Sequence, residues 1–499
     1  MKARHSFKSI LSLVLVVSMV ALVLTACGTQ APPAAEAPVE PVVETIEPVV
    51  EAAEESVKGF DGIFDASVNP GNTQEVVYVT GSWSEMGRQY GLQQKTQLEN
   101  NWSTVMPIML SIKDSEEIYR SMGEILTYLQ ENDTPAYDFL MGVADGAEVR
   151  SEDAVIAVLG SPILNADSLL EFQSERNNTC MTVSAWGEMT ADGHVLGAAN
   201  LDAESSTPAA MFSDMISYPD EGYAVIASGG MLGNAFMNSA GLVITYAGGP
   251  HTAPEDGDEV LDRAGTYFDS LFGYWYTATV CSTADEAVAM LTEGDWIHSG
   301  NINIVDGEGN AYVVEQKDYA TVVRAAGEHG ETDYLITANQ FLDESWMNSN
   351  YLAYPDCGAR YWTVEKIMQD ETGSVTPETI AKGLGSIRYY EDGQWSEENW
   401  DFGGFYQFHS PEGDDTAFKT ILRTVFDATD GEAYILRGHD EKFRSDIPFG
   451  TANYVRLVLG GGVADTNLIA GNDARVALRD AGAALYHRVR LQNHNAAGR

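Results

Sequence analysis

The sequence predicts an α+β fold in which a largely helical segment leads into mainly antiparallel sheets. Apolar residues within 98–150 recur at the three- and four-residue spacing of a helix face. From Thr182 onward the pattern changes to short apolar runs separated by glycine turns, which is typical of strands and hairpins. The turn-forming run 306–310 lies between two such strands and predicts a hairpin. Helices followed by hairpins of this kind indicate an α+β domain.

The helical segment is predicted to open with a strand over 75–80 and a helix capped by Ser82 or Ser84. Pro107 fits only the first turn of a helix or a kink, so we place a helix boundary there. Around this boundary, apolar spacing predicts buried helix faces made by Val105, Ile108, Met109, Ile112, Ile118, Met122, Ile125, Leu126 and Leu129.

In the later part of the chain, strands are predicted over 193–197, 222–227, 241–246, 302–305 and 311–315. Helices packed on the sheet are predicted over 284–291 and 377–384, and a basic amphipathic helix over 475–490. The predicted domains are a signal peptide (1–26), an acidic tether (27–57), a helical lead segment (58–179), a main domain (180–459) and a basic appendage (460–499).

The beginning of the chain has the pattern of a bacterial secretion signal. Basic residues precede an uncharged apolar run, 10–23, which is shorter than the roughly 20 residues of a membrane span. The following Leu24–Cys27 resembles the lipobox at which bacterial lipoproteins are cut and diacylated. This resemblance implies that Cys27 becomes the lipidated first residue on the extracytoplasmic side of the cell membrane. Residues 27–57, rich in Ala, Pro, Val and Glu, would form a semi-stiff spacer.

The charge of the chain limits the classes of molecule that it can bind. The formal net charge is −46, from 28 basic and 74 acidic residues. Such a surface repels nucleic acid and anionic lipid headgroups, so lipid chains would have to hold the protein at a membrane. A hydrophobic fraction of 44% excludes a disordered chain.

The chain has 4 cysteines, and lipidation of Cys27 leaves three. An odd number of cysteines in an exported protein points to a free thiol or to an intermolecular bond, and the pairing within the chain stays open. Either Cys281 and Cys357 form a disulfide and Cys180 is free, or all three are reduced.

Cys180 lies where helical patterning gives way to strands, in the run Thr179-Cys180-Met181-Thr182. A lone cysteine is more often a small buried hydrophobe than a nucleophile, but here an Asp-Gly turn follows at 192–193 and then Asn200-Leu201-Asp202. This order resembles the cysteine N-terminal-nucleophile (Ntn) amidohydrolases, above all the isopenicillin-N (penicillin) acyltransferase family. Choloylglycine hydrolase, acid ceramidase and N-acylethanolamine amidase are more distant relatives. The resemblance implies an Ntn-hydrolase-like αββα four-layer sandwich with mainly antiparallel sheets.

Other stretches agree with this resemblance in order and spacing. Together they cover about residues 75 to 440: Glu85–Gly91, Gly233–Leu242, Asp306–Glu315 and Leu335–Phe341.

The resemblance implies a mechanism that needs no cofactor. The chain would cleave itself between Thr179 and Cys180, and the freed α-amine, with a reference pKa of about 8, would serve as a base for its own thiol. The thiolate would then form an acyl-enzyme from a small N-acyl amide or a short peptide. By the same resemblance, Asp202 orients the amine and Asn339 donates to the oxyanion. Arg423 matches a late site residue of the family.

This sequence departs from the family at two positions. Relatives often have Arg three residues before the aspartate, where this chain has Ala199, and His where it has Gln340. The missing arginine argues against an anionic substrate head. Two alternatives to an active enzyme remain: an inactive Ntn relative, or a solute-binding surface lipoprotein, which would have two similar α/β lobes. The spacing of His, Cys and acidic residues predicts no metal site.

Overall fold

The computed structural model describes residues 76–167, 180–203, 212–249, 270–293, 300–317, 320–343, 357–397, 419–437, 454–459 and 462–465. All of them fall within the unit Phe60–Arg499. Several predictions lie outside the described residues: the signal peptide, the tether with Cys27, Thr179, and the basic helix 475–490.

The lead segment supplies one strand and a layer of helices. Strand β1 (Val76–Gly81) pairs in parallel with β4 (Asp214–Pro219), so this segment is built into a sheet of the main fold. Ser82 is the N-cap of the first helix, because its hydroxyl accepts from the Glu85 N–H at 3.3 Å while the Glu85 carboxylate accepts from the Ser82 N–H at 2.8 Å. The helices are α1 Trp83–Gln93, α2 Lys95–Ile112, α3 Ser115–Asn132, α4 Thr134–Ala147 and α5 Ser151–Asp167.

Helix α2 runs through Pro107, so the predicted boundary at this residue is wrong. Proline removes one helical hydrogen bond, but Val105, Met106 and Met109 are buried in the helical core, and this packing keeps the helix continuous. Ile108, which was placed on the buried face, is 40% exposed. On α3 the predicted face is confirmed as buried: Ile118, Met122, Ile125, Leu126 and Leu129.

Helices α1 and α4 touch backbone to backbone through glycines. A Cβ on Gly87 would lie 2.1 Å from the carbonyl oxygen of Phe139, and one on Gly142 would lie 2.2 Å from that of Ser84. The family-like segment Glu85–Gly91 therefore has a packing role, because only glycine permits this close approach.

Replacing Gly87 by alanine is expected to lower the free energy of unfolding by about 1–3 kcal/mol or more, because the added methyl overlaps a backbone carbonyl. The matched control is Gly123→Ala on α3, where the added methyl would have no atom within 4 Å. That change should stabilise the helix by up to about 1 kcal/mol. Urea unfolding of both variants measures the difference, and equal effects would contradict the packing argument.

Two large sheets make up most of the remaining fold, and a short hairpin joins β12 (Tyr390–Glu391) to β13 (Gln394–Trp395). The first sheet has the order β1-β4-β5-β6-β7-β8-β9-β10. Its further strands are β5 Val225–Ser228, β6 Ala235–Asn238, β7 Val243–Gly248, β8 Gly300–Val305, β9 Ala311–Lys317 and β10 Ala320–Ala325. The second sheet has the order β11-β2-β3-β14-β15-β16-β17. Its strands are β2 Met181–Ala185, β3 Leu196–Ala203, β11 Tyr334–Thr337, β14 Lys419–Asp427, β15 Glu432–Arg437, β16 Val455–Val458 and β17 Gly462–Asp465.

The two sheets face each other between layers of helix. Val243 of β7 and Ile435 of β15 lie in the core shared by the inner sheet faces. The next residue on each strand points the other way: Ile244 packs with the helices of the lead segment, and Leu436 packs with a second helical layer. The remaining helices are α6 Ser270–Val280, α7 Ala284–Glu293, α8 Cys357–Asp370 and α9 Pro377–Leu384. This architecture confirms the predicted α+β four-layer sandwich.

Two details of the chain differ from expectation or decide between alternatives. Strand β17 pairs with β16, so the second sheet continues past residue 459, where the main domain was predicted to end. Cys180, Cys281 and Cys357 are all free thiols, and Cys281 and Cys357 lie in the cores of different helical layers. The Cys281–Cys357 disulfide is therefore excluded.

No helix in the described ranges has both the length and the hydropathy required to cross a membrane.

Candidate active site

The position of Cys180 is fixed by the strands on either side of β2. Strand β2 pairs antiparallel with β3 and with β11. Thr182 lies opposite Thr337, so extending this register by two residues brings Cys180 opposite Asn339. On the other side, the Cys180 Sγ lies 3.8 Å from the carbonyl oxygen of Asp202. The structure thus brings together three residues that the sequence predicted for the site.

Asp202 is a buried carboxylate at the end of β3. Its Oδ1 accepts a 2.5 Å hydrogen bond from the Thr420 hydroxyl, and Thr420 is its partner on β14. Only 2% of Asp202 is exposed. Thr420 was not identified from the sequence, because the pairing of β3 with a strand more than 200 residues away leaves no local pattern.

The amide of Asn339 has a defined orientation. Its Nδ2 donates to the carbonyl of Gly248 at 2.7 Å, and its Oδ1 accepts from Arg360 Nη2 at 3.0 Å. Because a guanidinium only donates hydrogen bonds, the atom facing Arg360 must be the oxygen. The nitrogen therefore faces the end of β7, where Gly248 also contacts the Cys180 thiol. An amide nitrogen carries a second hydrogen that is available for an oxyanion.

Arg360 on α8 is a second residue of this site that sequence reasoning missed. Its side chain is fully buried, and its Nη1 donates to the carbonyl of Cys180 at 3.0 Å. Its Nη2 donates to Asn339 and, at 3.1 Å, to the sulfur of Cys357. Helix α8 was not predicted, and its apolar pattern is weak, so the sequence held no signal that would place a guanidinium here.

The segment that carries Asn339 is held by two residues of the other sheet. Asn301 and Glu315 lie opposite each other on β8 and β9. The Asn301 amide donates to the carbonyl oxygens of Ala338 and Gln340 at 2.8 and 3.0 Å. The Glu315 carboxylate accepts from the backbone N–H groups of Leu342 and Asp343, at 2.9 and 3.0 Å, and lies 3.7 Å from Arg324. These bonds fix the backbone on both sides of Asn339.

Burial raises the pKa of Glu315 above its ordinary value, against the opposing effect of the two N–H groups and Arg324. A raised carboxyl pKa favours the protonated form in the folded state. The stability that this group contributes is therefore present at acid pH and is lost as pH rises through the raised pKa. The free energy of unfolding of the wild type, relative to Glu315→Gln, should fall as the pH rises above about 4, the ordinary carboxyl pKa, and should level off above the raised pKa.

Urea unfolding at several pH values measures this difference. Glu378→Gln is the control, since the Glu378 side chain on α9 is 49% exposed and pairs with Lys382 at the surface. A wild-type advantage over Glu315→Gln that grows with pH would contradict the assigned sign.

Arg423 lies on β14 and is tied to helix α9. Its guanidinium donates to the carbonyl oxygens of Ala381 and Leu384, at 3.1 and 2.8 Å, and its Nε donates to the Asn200 side chain at 2.8 Å. These contacts join the second sheet to its helical layer. The contact with the Cys180 backbone is instead made by Arg360.

The environment of the Cys180 thiol opposes its ionisation in the intact chain. Burial, with Asp202 beside it, raises the pKa of the thiol to about 12, while backbone contacts with Asp202 and Gly248 and the charge of Arg360 act in the opposite direction. The thiol is therefore protonated at neutral pH, and a standing thiolate requires a base beside it.

A cluster of three side chains that could bind a metal lies at the other end of the same strands. His194 precedes β3, Asp427 ends β14, and both lie near Asp430, with ligand atoms within 4.8 Å of one another. The His194 Nδ1 already bonds the Asp427 carboxylate at 2.9 Å, so the cluster joins two hairpins. It is remote from Cys180 along both strands, so we assign it no part in the chemistry.

Two facing sheets lie between helical layers, and a cysteine enters an inner strand beside a buried aspartate and a buried asparagine. These features define the chain as an enzyme of the Ntn class, whose members hydrolyse or transfer acyl groups. Residues 190–441 match the family described as Acyl-coenzyme A:6-aminopenicillanic acid acyl-transferase, and the chain belongs to that family. The matched range covers half of the chain and begins after Cys180.

Solved structures with similar folds include penicillin V acylase from Agrobacterium tumefaciens, 15% identical over 58% of this chain and 93% of that one, with a TM-score of 0.34. A mutant of conjugated bile acid hydrolase from Clostridium perfringens is 12% identical over 57% and 96%, with a TM-score of 0.34. The N-acylethanolamine-hydrolyzing acid amidase ortholog of Caenorhabditis elegans is 11% identical over 50% and 93%, with a TM-score of 0.31. No curated protein matches the chain.

Proposed function

We propose that this chain is an autoproteolytic cysteine amidohydrolase or acyltransferase that acts on linear N-acyl amides through an acyl-enzyme on Cys180. The observation that carries the proposal is the convergence of Cys180, Asp202 and Asn339, three distant residues, at one end of β2. The alternative of a solute-binding lipoprotein required two similar α/β lobes, whereas the described residues form one sandwich of two facing sheets.

Self-cleavage would make the base that the buried thiol lacks. The sulfur of Cys180 attacks the carbonyl carbon of Thr179, and the thiol proton passes to the peptide nitrogen. The C–N bond then breaks, so that the nitrogen leaves as the new α-amine and a thioester forms. Water then hydrolyses the thioester to a Thr179 carboxylate and a free thiol. The released α-amine, with a reference pKa of about 8, can accept the thiol proton near neutral pH.

In each turnover the thiolate attacks the carbonyl of the substrate amide, and the charge that develops on its oxygen meets the free hydrogen of Asn339 Nδ2. The α-amine returns its proton to the leaving amine. Water then releases the acyl group as an acid, or a second amine accepts it. The Asp202 carboxylate, held by Thr420, would stabilise the protonated α-amine between these steps.

A direct test is to trap the acyl-enzyme. Purified protein is mixed with a panel of chromogenic N-acyl amides, quenched in acid and digested. We expect an acyl mass on the peptide that begins with Cys180, and none in Cys180→Ala. An acyl group on another residue, or turnover without any covalent intermediate, would overturn the assignment.

We also propose that the protein is anchored outside the cell membrane by lipid on Cys27, on the strength of the lipobox-like Leu24–Cys27 and the acidic tether. Metabolic labelling with a radioactive fatty acid should mark the wild type and not Cys27→Ala. Equal labelling of both proteins would contradict lipidation at Cys27.

A further inference from the structure

The guanidinium of Arg360 is the group that joins the nucleophile to the oxyanion donor. One nitrogen donates to the Cys180 carbonyl and the other to the Asn339 Oδ1 and the Cys357 sulfur. The side chain is fully buried, on a helix that packs against the second sheet. Burying a guanidinium carries a large desolvation cost, so an apolar side chain of similar size would often anchor the helix equally well or better. Its charge and its forked geometry therefore need an explanation beyond packing.

The geometry gives two consequences. First, a planar fork fixes both partners at once, so the Asn339 amide cannot reverse without placing its NH₂ group against a donor. Second, charged groups on two of the described elements act on the thiol: Asp202 on β3, which opposes the thiolate, and Arg360 on α8, which favours it. Arg360 also donates to the sulfur of Cys357, a further titratable group. A positive charge near a thiol stabilises the thiolate.

We propose that Arg360 is the positioning residue of this site: it holds Asn339 with its NH₂ group toward the reaction centre and supplies the fixed positive charge beside Cys180. The inference rests on the proposed function, and its charge component can be measured without a substrate.

The test is the rate at which iodoacetamide alkylates Cys180 in the folded full-length protein at about pH 8, read by peptide mass spectrometry. Loss of the charge in Arg360→Gln should raise the thiol pKa by on the order of one unit, and so slow alkylation about tenfold. Arg360→Lys keeps the charge and should stay within about threefold of the wild type, while its poorer geometry should lower kcat with little change in KM. A merely structural role predicts the opposite sign, because a loosened site is alkylated faster.

Arg456→Gln is the matched control. Arg456 is also buried, on β16 of the same sheet, and pairs with Glu432. Its loss should leave Cys180 alkylation within about twofold of the wild type. Faster or unchanged alkylation of Cys180 in Arg360→Gln would overturn the proposal, and faster alkylation of Cys357 beside it would show that the site had loosened. If Arg360→Gln does not fold, an unchanged kcat in Arg360→Lys would overturn it.

These outcomes are separate from those of the proposed function. A chain that neither cleaves itself nor turns over amides still reports the charge effect through alkylation. If the wild type does both, but Cys180 alkylation is not slowed in Arg360→Gln, the role proposed for Arg360 is rejected and the proposed function stands.

Discussion

Cys180→Ala should abolish both self-cleavage and amide turnover. The methyl group cannot attack a carbonyl, and the α-amine base does not appear while the peptide bond between positions 179 and 180 remains intact. We expect turnover to fall by roughly 10⁴-fold or more, to the level of residual contamination. Stability should change little by comparison, since the thiol is a small buried group. Initial rates with an N-acyl amide, together with a denaturing gel, measure both effects.

Cys281→Ala is the matched control for this prediction. Cys281 is a second free and buried thiol, but it lies in the core between the lead helices and the first sheet. Its loss should leave cleavage and turnover within a few-fold of the wild type. If Cys180→Ala retained turnover while Cys281→Ala lost it, the assignment of Cys180 as the nucleophile would be wrong.

Asn339→Ala should lower kcat by about 10²–10³-fold, the usual effect of removing one oxyanion donor, with a smaller change in KM. The reason is that the Asn339 Nδ2 is oriented by Arg360 on one side and by the Gly248 carbonyl on the other. The rate should be measured per cleaved molecule, so that a slower self-cleavage is not counted as slower turnover.

The control is Asn303→Ala. Asn303 is also buried; its Nδ2 donates to the Leu335 carbonyl at 3.3 Å, and its Oδ1 accepts from the Ser184 hydroxyl at 2.8 Å. This change should lower stability through the lost bonds, by about 1–3 kcal/mol, yet leave kcat nearly unchanged. An equal loss of kcat in both variants would indicate that Asn339 acts only through stability.

Much of the fold could be predicted because its signals are local. A hairpin such as that at Asp306–Asn310 depends on a few turn residues, and the capping box of Ser82 and Glu85 depends on four consecutive ones. The joint position of Cys180, Asp202 and Asn339 was implied by resemblance to a family. The structure gives its physical reason, which is that β3 and β11 flank β2.

The remaining features depend on contacts between distant segments. Pro107 remains inside a helix because tertiary packing outweighs one missing hydrogen bond, and no local pattern records that packing. Arg360 reaches the site from a helix with little amphipathic pattern, whereas Arg423, with a family-like context, is tied to α9. The Ala199 departure signals only that an arginine is missing at one position, and it does not show where another enters.

The measurement that tests the central claim most directly is the intact mass and N-terminal sequence of purified wild-type protein (residues 58–499), beside Cys180→Ala. We predict two wild-type fragments, one of which begins Cys180-Met181-Thr182, and a single uncleaved chain for the variant. A wild-type chain that remains whole while it turns over amides, or a cut at another bond, would contradict the account.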